Sequence, residues 1–252
     1  MHAFSTTMAS VVGHSYATKL VTRAHRLVTF FRASHQPLAF LKQLASSLGI
    51  KRMLITSNKT RFTSVHASLE SVVRLQSALQ EVNRQRPSIL SDLVISIIED
   101  EMFFVRLKQL CKLLEPFSLV IAAVQAARTT LADLMRYWLF LAKLLTGFSS
   151  DGLPPEFKAH CFMAYNLRHM EMVNPLCKLA LFLHPLYRDA VLVQKKNWKE
   201  VQVTAANLWS SGYKRSQAQT KKLLEDMKMY IIHEDPFDHM PCDGELSTLK
   251  LY

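Results

Sequence analysis

SNKTRFTSVHASLESVV, residues Ser57 to Val73, passes from a basic polar turn directly into an amphipathic helix. Ser57, Asn58 and Thr60 are turn or strand-end types, and Lys59 and Arg61 flank Thr60. Thr63 and Ser64 are N-cap candidates, because a hydroxyl accepts a hydrogen bond from an orphan helix amide. Beyond them Val65, Leu69, Val72, Val73, Leu79 and Val82 recur at helical spacing. His66, Glu70, Arg74, Ser77 and Glu81 fall on the other face, with Glu70 four residues before Arg74 in the favourable ion-pair orientation. The spacing predicts one helix from Ser64 to Arg84. Upstream, Met53 to Thr56 is the one convincing strand candidate, and a lone strand does not make a sheet.

Outward from this stretch the pattern stays helical. Helices are expected over Met1 to Val12, over Tyr16 to Ala33 with a Leu20, Ala24, Leu27, Val28 and Phe31 stripe, and from the Ser34 cap to Leu48, where Gly49 can end the turn. Ser88 to Ile98 suits a helix or a buried strand. Met102 to Leu114 is helical, and Pro116 is expected to break or kink it. Thr130 to Leu145 and Glu156 to Glu171 flank a Gly-, Ser- and Pro-containing loop. Trp198 to Trp209 and Gln217 to Ile232 are the closing helices, and Asp235 to Tyr252 reads as irregular.

Composition narrows the function classes. The chain has 252 residues, 49% of them hydrophobic, enough to bury a sizeable core. Only 6 Gly and 9 Pro are too few for an all-β protein rich in turns. The formal net charge of +11 favours an anionic partner. No Asp or Glu precedes Glu70, whereas Lys19, Arg23, Arg26, Arg32, Lys42, Lys51, Arg52, Lys59 and Arg61 all do. Cys111, Cys161, Cys177 and Cys242 lack zinc-site spacing and are expected to lie reduced in the core. No apolar run reaches the roughly 18 residues of a membrane span, so the chain reads as soluble and intracellular, with no membrane partner.

Three landmarks then occur in order: Thr60-Arg61-Phe62 followed by Ser64, the segment Leu113 to Phe117 (LLEPF), and Ala180, Leu183, Pro185, Tyr187 and Arg188. Together they resemble hAT-superfamily DNA transposases, which carry an all-helical insertion in a ribonuclease H-like core. The resemblance implies a mainly α chain with at most one or two short strands. Residues 1–86 would be the C-terminal part of the core, 87–193 the helical insertion, and 194–252 the closing helices and tail. It also implies a nuclear protein that meets DNA near Lys51, Arg52, Lys59, Arg61 and Phe62, the last standing where the family has Trp.

The family cuts DNA with three carboxylates around Mg2+ or Mn2+. The first two would lie upstream of Met1, so a truncated, catalytically incomplete chain without metal or other cofactor is expected. Asp226, with Glu225 beside it, falls nearest the third acid and is read as vestigial. The dimerisation segment of the family would begin beyond Tyr252, which leaves the oligomeric state open. Glu99, Asp100 and Glu101 spread over about 200 degrees of a helix and suit a helix start better than a metal site. The expected biochemistry is weak, non-specific DNA binding through the basic N-terminal half. The alternative is a helical protein-interaction module, with the insertion docking a protein partner and no DNA binding.

Overall fold

The computed structural model describes residues 2–58, 62–126, 128–147, 152–185, 187 and 195–238, without the side chains of His2, Phe62 and residues 195–197. The chain is mainly α, with no strand among these residues. Its helices are α1 (His2–Gly13), α2 (Ser15–Ala33), α3 (His35–Ser47), α4 (Phe62–Arg74), α5 (Gln76–Gln85), α6 (Asp92–Glu99), α7 (Glu101–Val124), α8 (Leu131–Gly147), α9 (Pro155–Met172), α10 (Pro175–Leu183), α11 (Lys195–Asn207) and α12 (Gln217–Ile232). A 3-10 turn at Pro87–Ile89 precedes α6, and a π turn at Leu208–Gly212 follows α11.

Contacts divide the chain into two units, residues 1–126 with 141–168 and residues 127–140 with 169–252. In the first, α7 is the central element. Eleven of its side chains, from Phe103 to Val124, are buried, and α1, α2 and α4 pack against it. Phe4, Leu27, Phe31, Phe104, Phe117 and Phe157 are fully buried in this unit. Its helix α4 comes from the stretch assigned by sequence to the ribonuclease H-like segment, and it packs on α7 from the expected insertion.

Pro116 lies inside α7, and the helix runs through it to Val124. Of the break or kink expected at Pro116, the break does not occur. Proline costs a helix interior about 3 kcal/mol through its missing amide and ring clash. Beyond it Phe117, Val120, Ile121 and Val124 are all buried. Each contributes roughly 1.5–3 kcal/mol, so continuing the helix wins.

The single helix expected over Ser64 to Arg84 is two helices. Leu75 lies between them at φ −91°, ψ 7°. Its amide still donates to the Ser71 carbonyl at 3.2 Å, and its carbonyl accepts from the Leu79 amide at 2.9 Å. The turn redirects the chain, because α4 packs on α2 and α7 whereas α5 packs on α3 and α6. Ser64 does not cap α4 either. It lies inside the helix, where its hydroxyl donates to the Asn58 carbonyl at 3.1 Å and accepts from the Asn58 amide at 2.8 Å.

Met53 to Thr56 is not a strand. Side chains satisfy its backbone in place of a ladder: the Ile55 amide donates to Ser71 Oγ at 3.0 Å, and the Leu54 carbonyl accepts from Arg32 at 3.5 Å. Leu54 is buried here and Ser71 is buried in α4, so this one anchored crossing needs no second strand. Gly49, at φ 71°, ends α3 in the left-handed region that a Cβ disfavours.

The second unit has its own core. Met135, Cys177, Leu179, Leu181, Phe182, Val201, Ala205 and Met227 form it, with Trp198, Leu223 and Tyr230 against its edge. Lys178 pairs with Glu200 at 2.5 Å between α10 and α11, and the Tyr230 hydroxyl donates to the Leu183 carbonyl at 3.2 Å. A reciprocal Ser216 and Gln219 capping box starts α12. Cys111, Cys161 and Cys177 are free and buried, as expected; Cys242 and most of the tail, residues 239–252, lie outside the described residues. Burial pushes the Cys111 and Cys161 thiols up to about 12, which suits inert core positions.

Two outcomes follow from this packing. Phe104→Ala, at a fully buried site, should cost about 3–5 kcal/mol in urea unfolding, while Leu119→Ala, at a position 42% exposed, should cost far less. An equal cost at both positions would contradict the central place of α7. Burial also lowers the His66 pKa below its ordinary 6.5, with Glu70 and Glu115 pulling it partly back. An unfolded chain therefore binds more protons there, so this contribution to stability is present above about pH 6.5 and lost as pH falls through the lower folded value. The drop in urea midpoint between about pH 7 and pH 5 should be smaller in His66→Gln than in the wild type.

Candidate nucleic-acid interface

The acid-free stretch folds into α1, α2, α3 and the segment that leads to α4. On α2 the apolar stripe Ala17, Leu20, Ala24, Leu27, Val28 and Phe31 is buried. Helical geometry then turns Lys19, Thr22, Arg23 and Arg26 onto another face, at offsets of three and four residues. Lys19, Arg26, Arg32 and Lys42 are exposed, as are Lys51 and Arg52 after α3.

Among the described residues one carboxylate pairs with this stretch. Asp100 Oδ2 accepts from Arg23 Nη1 at 2.7 Å. Arg23 also lies 4.8 Å over the Phe103 ring, so a carboxylate and an aromatic face both hold the guanidinium. Asp100 caps α7 as well, accepting from the Phe103 amide at 3.0 Å. Burial pushes its carboxyl up, but Arg23 and the Phe103 and Met102 amides outweigh that, and its pKa lies below the ordinary carboxylate value. The acidic run Glu99 to Glu101 is thus a helix junction: Glu99 ends α6, Asp100 caps and Glu101 opens α7.

Of the five residues expected at DNA, Lys51 and Arg52 are exposed on the segment after α3. Lys59, Arg61 and the side chain of Phe62 lie outside the described residues. Sequence spacing exposed the Lys19, Arg23 and Arg26 stripe but not its neighbours. Arg106, on α7, lines the same surface concavity as these three and Tyr16. No local pattern joins residues about eighty positions apart; only the packing of α2 on α7 does so.

The vestigial acids sit elsewhere. Asp226 and Glu225 are on α12, half-buried and exposed respectively, and the adjacent Met227 enters the second core. No group of three or more His, Cys, Asp or Glu among the described residues could hold a metal ion. His160 Nε2 lies 3.0 Å from the Ser10 carbonyl, and its ring is 4.8 Å from that of His14. His14 accepts from the Tyr16 amide as the cap of α2, so both rings have structural partners. Trp138 is 1% exposed and meets His169 edge-on at 6.0 Å, a core residue as expected.

No helix among the described residues is long and apolar enough to cross a membrane. Comparison of the chain with protein-family models, with curated proteins and with solved structures found no match, and none of these findings identifies a hAT transposase.

Proposed function

We propose that this chain is a nucleic-acid-binding protein of the hAT transposase type, acting in the nucleus, that holds DNA weakly and without sequence preference and does not cut it. The observation that carries the reading is the exposed cationic surface of the first 58 residues. Six lysines and arginines there (Lys19, Arg26, Arg32, Lys42, Lys51 and Arg52) are open to solvent, in a stretch with no acid of its own. Cations that neutralise phosphates release condensed counterions, a driving force that needs no base contact. Lys59, Arg61 and Phe62 join the reading through the resemblance alone, in which the family's equivalent segment lies near DNA.

The same resemblance supports the absence of cleavage. A two-metal centre needs several converging carboxylates, and Asp226 with Glu225 supplies one short pair on a single helix. The metal of the family, Mg2+ or Mn2+, therefore has no role in this reading. A second reading, a helical protein-interaction module, is favoured by one observation. Met163, Leu167 and Met170 share a face of α9 at 67%, 56% and 81% exposure.

Purified protein with Mg2+ or Mn2+ should leave supercoiled plasmid DNA un-nicked above background. Metal-dependent nicking that disappears in Asp226→Ala would reverse the non-enzymatic reading. Binding is tested by titrating duplex DNA at several salt concentrations. The wild type should bind at about micromolar or weaker near physiological salt. Replacing Lys51, Arg52, Lys59 and Arg61 with Ala should flatten the salt dependence by roughly one slope unit per phosphate contact removed. Identical slopes for two folded proteins would remove the nucleic-acid role and leave the protein-interaction module.

A further inference from the structure

Lys19, Arg23 and Arg26 follow one another along α2 at offsets of four and three residues. Like charges at these offsets destabilise a helix by a few tenths of a kcal/mol per pair. The fold adds to this repulsion, because Arg106 of α7 lines the same cleft. The cleft has a volume of about 400 Å3, and Tyr16, Thr18 and Thr22 complete its polar lining. That size lies within the range of small-ligand sites, roughly 300–1,000 Å3.

Two features show how such a site would be organised. Arg23 is fixed in place by Asp100 at 2.7 Å and by the Phe103 ring, so one guanidinium is oriented in advance. Asp100 offsets one charge, and three of the four cations remain without a carboxylate partner among the described residues. The Tyr16 hydroxyl oxygen is buried and has no hydrogen-bond partner. A buried polar group left unsatisfied costs about 1–3 kcal/mol, which an acceptor oxygen in the cleft would offset. Burial pushes the Tyr16 phenol up, and the Arg106 charge pulls it partly back, so the hydroxyl keeps its proton and acts as a donor.

We propose that the cleft between α2 and α7 binds a compact polyanion with adjacent phosphate groups. Arg23, Arg26, Arg106 and Lys19 supply the charge, and Tyr16 and Thr22 donate hydroxyl hydrogen bonds. Guanidinium groups suit phosphate because their donors match its oxygens in pairs. A single tetrahedral anion cannot meet cations spread over two turns of α2, so linked phosphates bind more tightly than sulfate. The phosphates come either from a small phosphorylated molecule or from a nucleic-acid strand. The site goes beyond the DNA-binding reading and uses none of Lys51, Arg52, Lys59 and Arg61.

Calorimetric titration with sodium tripolyphosphate tests the site directly. The wild type should bind it, more tightly than sulfate, with affinity that falls as salt rises. Arg26→Ala and Arg106→Ala, at exposed positions, should each weaken binding about tenfold, as loss of a charge-assisted hydrogen bond implies. Tyr16→Phe should weaken it about threefold, as for a neutral hydrogen bond. Arg106→Lys should keep more affinity than Arg106→Ala, and Lys222→Ala, at an exposed position of α12, should leave binding unchanged. Circular dichroism of each variant separates lost binding from lost fold. Displacement of a bound single-stranded oligonucleotide by tripolyphosphate would support the site with nucleic acid as the source of the phosphates. Simultaneous binding of both would support it with a small molecule as the source. Absence of tripolyphosphate binding to folded wild type, or equal binding by wild type and the folded Arg26→Ala and Arg106→Ala variants, would overturn the site. The duplex titration could still succeed in that case, because the fourfold variant it compares with the wild type replaces none of the cleft residues.

Discussion

Burial of α7 is the constraint on which the first unit depends. Its eleven buried side chains draw α1, α2 and α4 around one helix. The gain is large enough to carry the helix through Pro116, at a cost of about 3 kcal/mol. It also decides what faces outward. Once α2 commits its alanine, leucine and phenylalanine stripe to the core, its lysine and arginine face has nowhere to go but the surface. The cationic surface is thus a by-product of core packing in location, though not in composition. A helix needs no acid-free run of this length merely to stay soluble; interspersed charges of both signs do that as well.

Asp100 links the core to that surface. Its carboxylate caps α7 and at the same time anchors Arg23, from a helix far away in sequence. Both partners are about one-third exposed, so the pair contributes little to stability. Its consequence is geometric. One arginine of the cationic face is held still, while its neighbours Lys19 and Arg26 remain open to solvent.

Much of the helical framework was legible because periodicity reports burial. The stripe on α2 coincides with the side chains that are buried, and α12 begins and ends at the residues its pattern indicates. Junctions decided by competition between distant surfaces were not legible. Leu75 turns the chain because α4 and α5 serve different neighbours, and no local residue type announces this. Pro116 is a strong local signal overruled by the buried residues beyond it. Met53 to Thr56 has strand chemistry, but a serine hydroxyl and an arginine take its backbone groups instead. For the candidate site, the charge of the first 58 residues was visible, whereas the meeting of Tyr16 and Arg106 exists only once α2 and α7 have packed.

Whether phosphate meets the protein in its N-terminal half is therefore the decisive question, and lysine footprinting answers it most directly. Brief acetylation with and without duplex DNA, read by mass spectrometry, reports each amine separately. The expected result is protection of Lys19, Lys42, Lys51 and Lys59, with Lys221, Lys222 and Lys228 of α12 reacting as before. Protection confined to α12, or equal protection along the whole chain, would contradict a nucleic-acid surface in the N-terminal half.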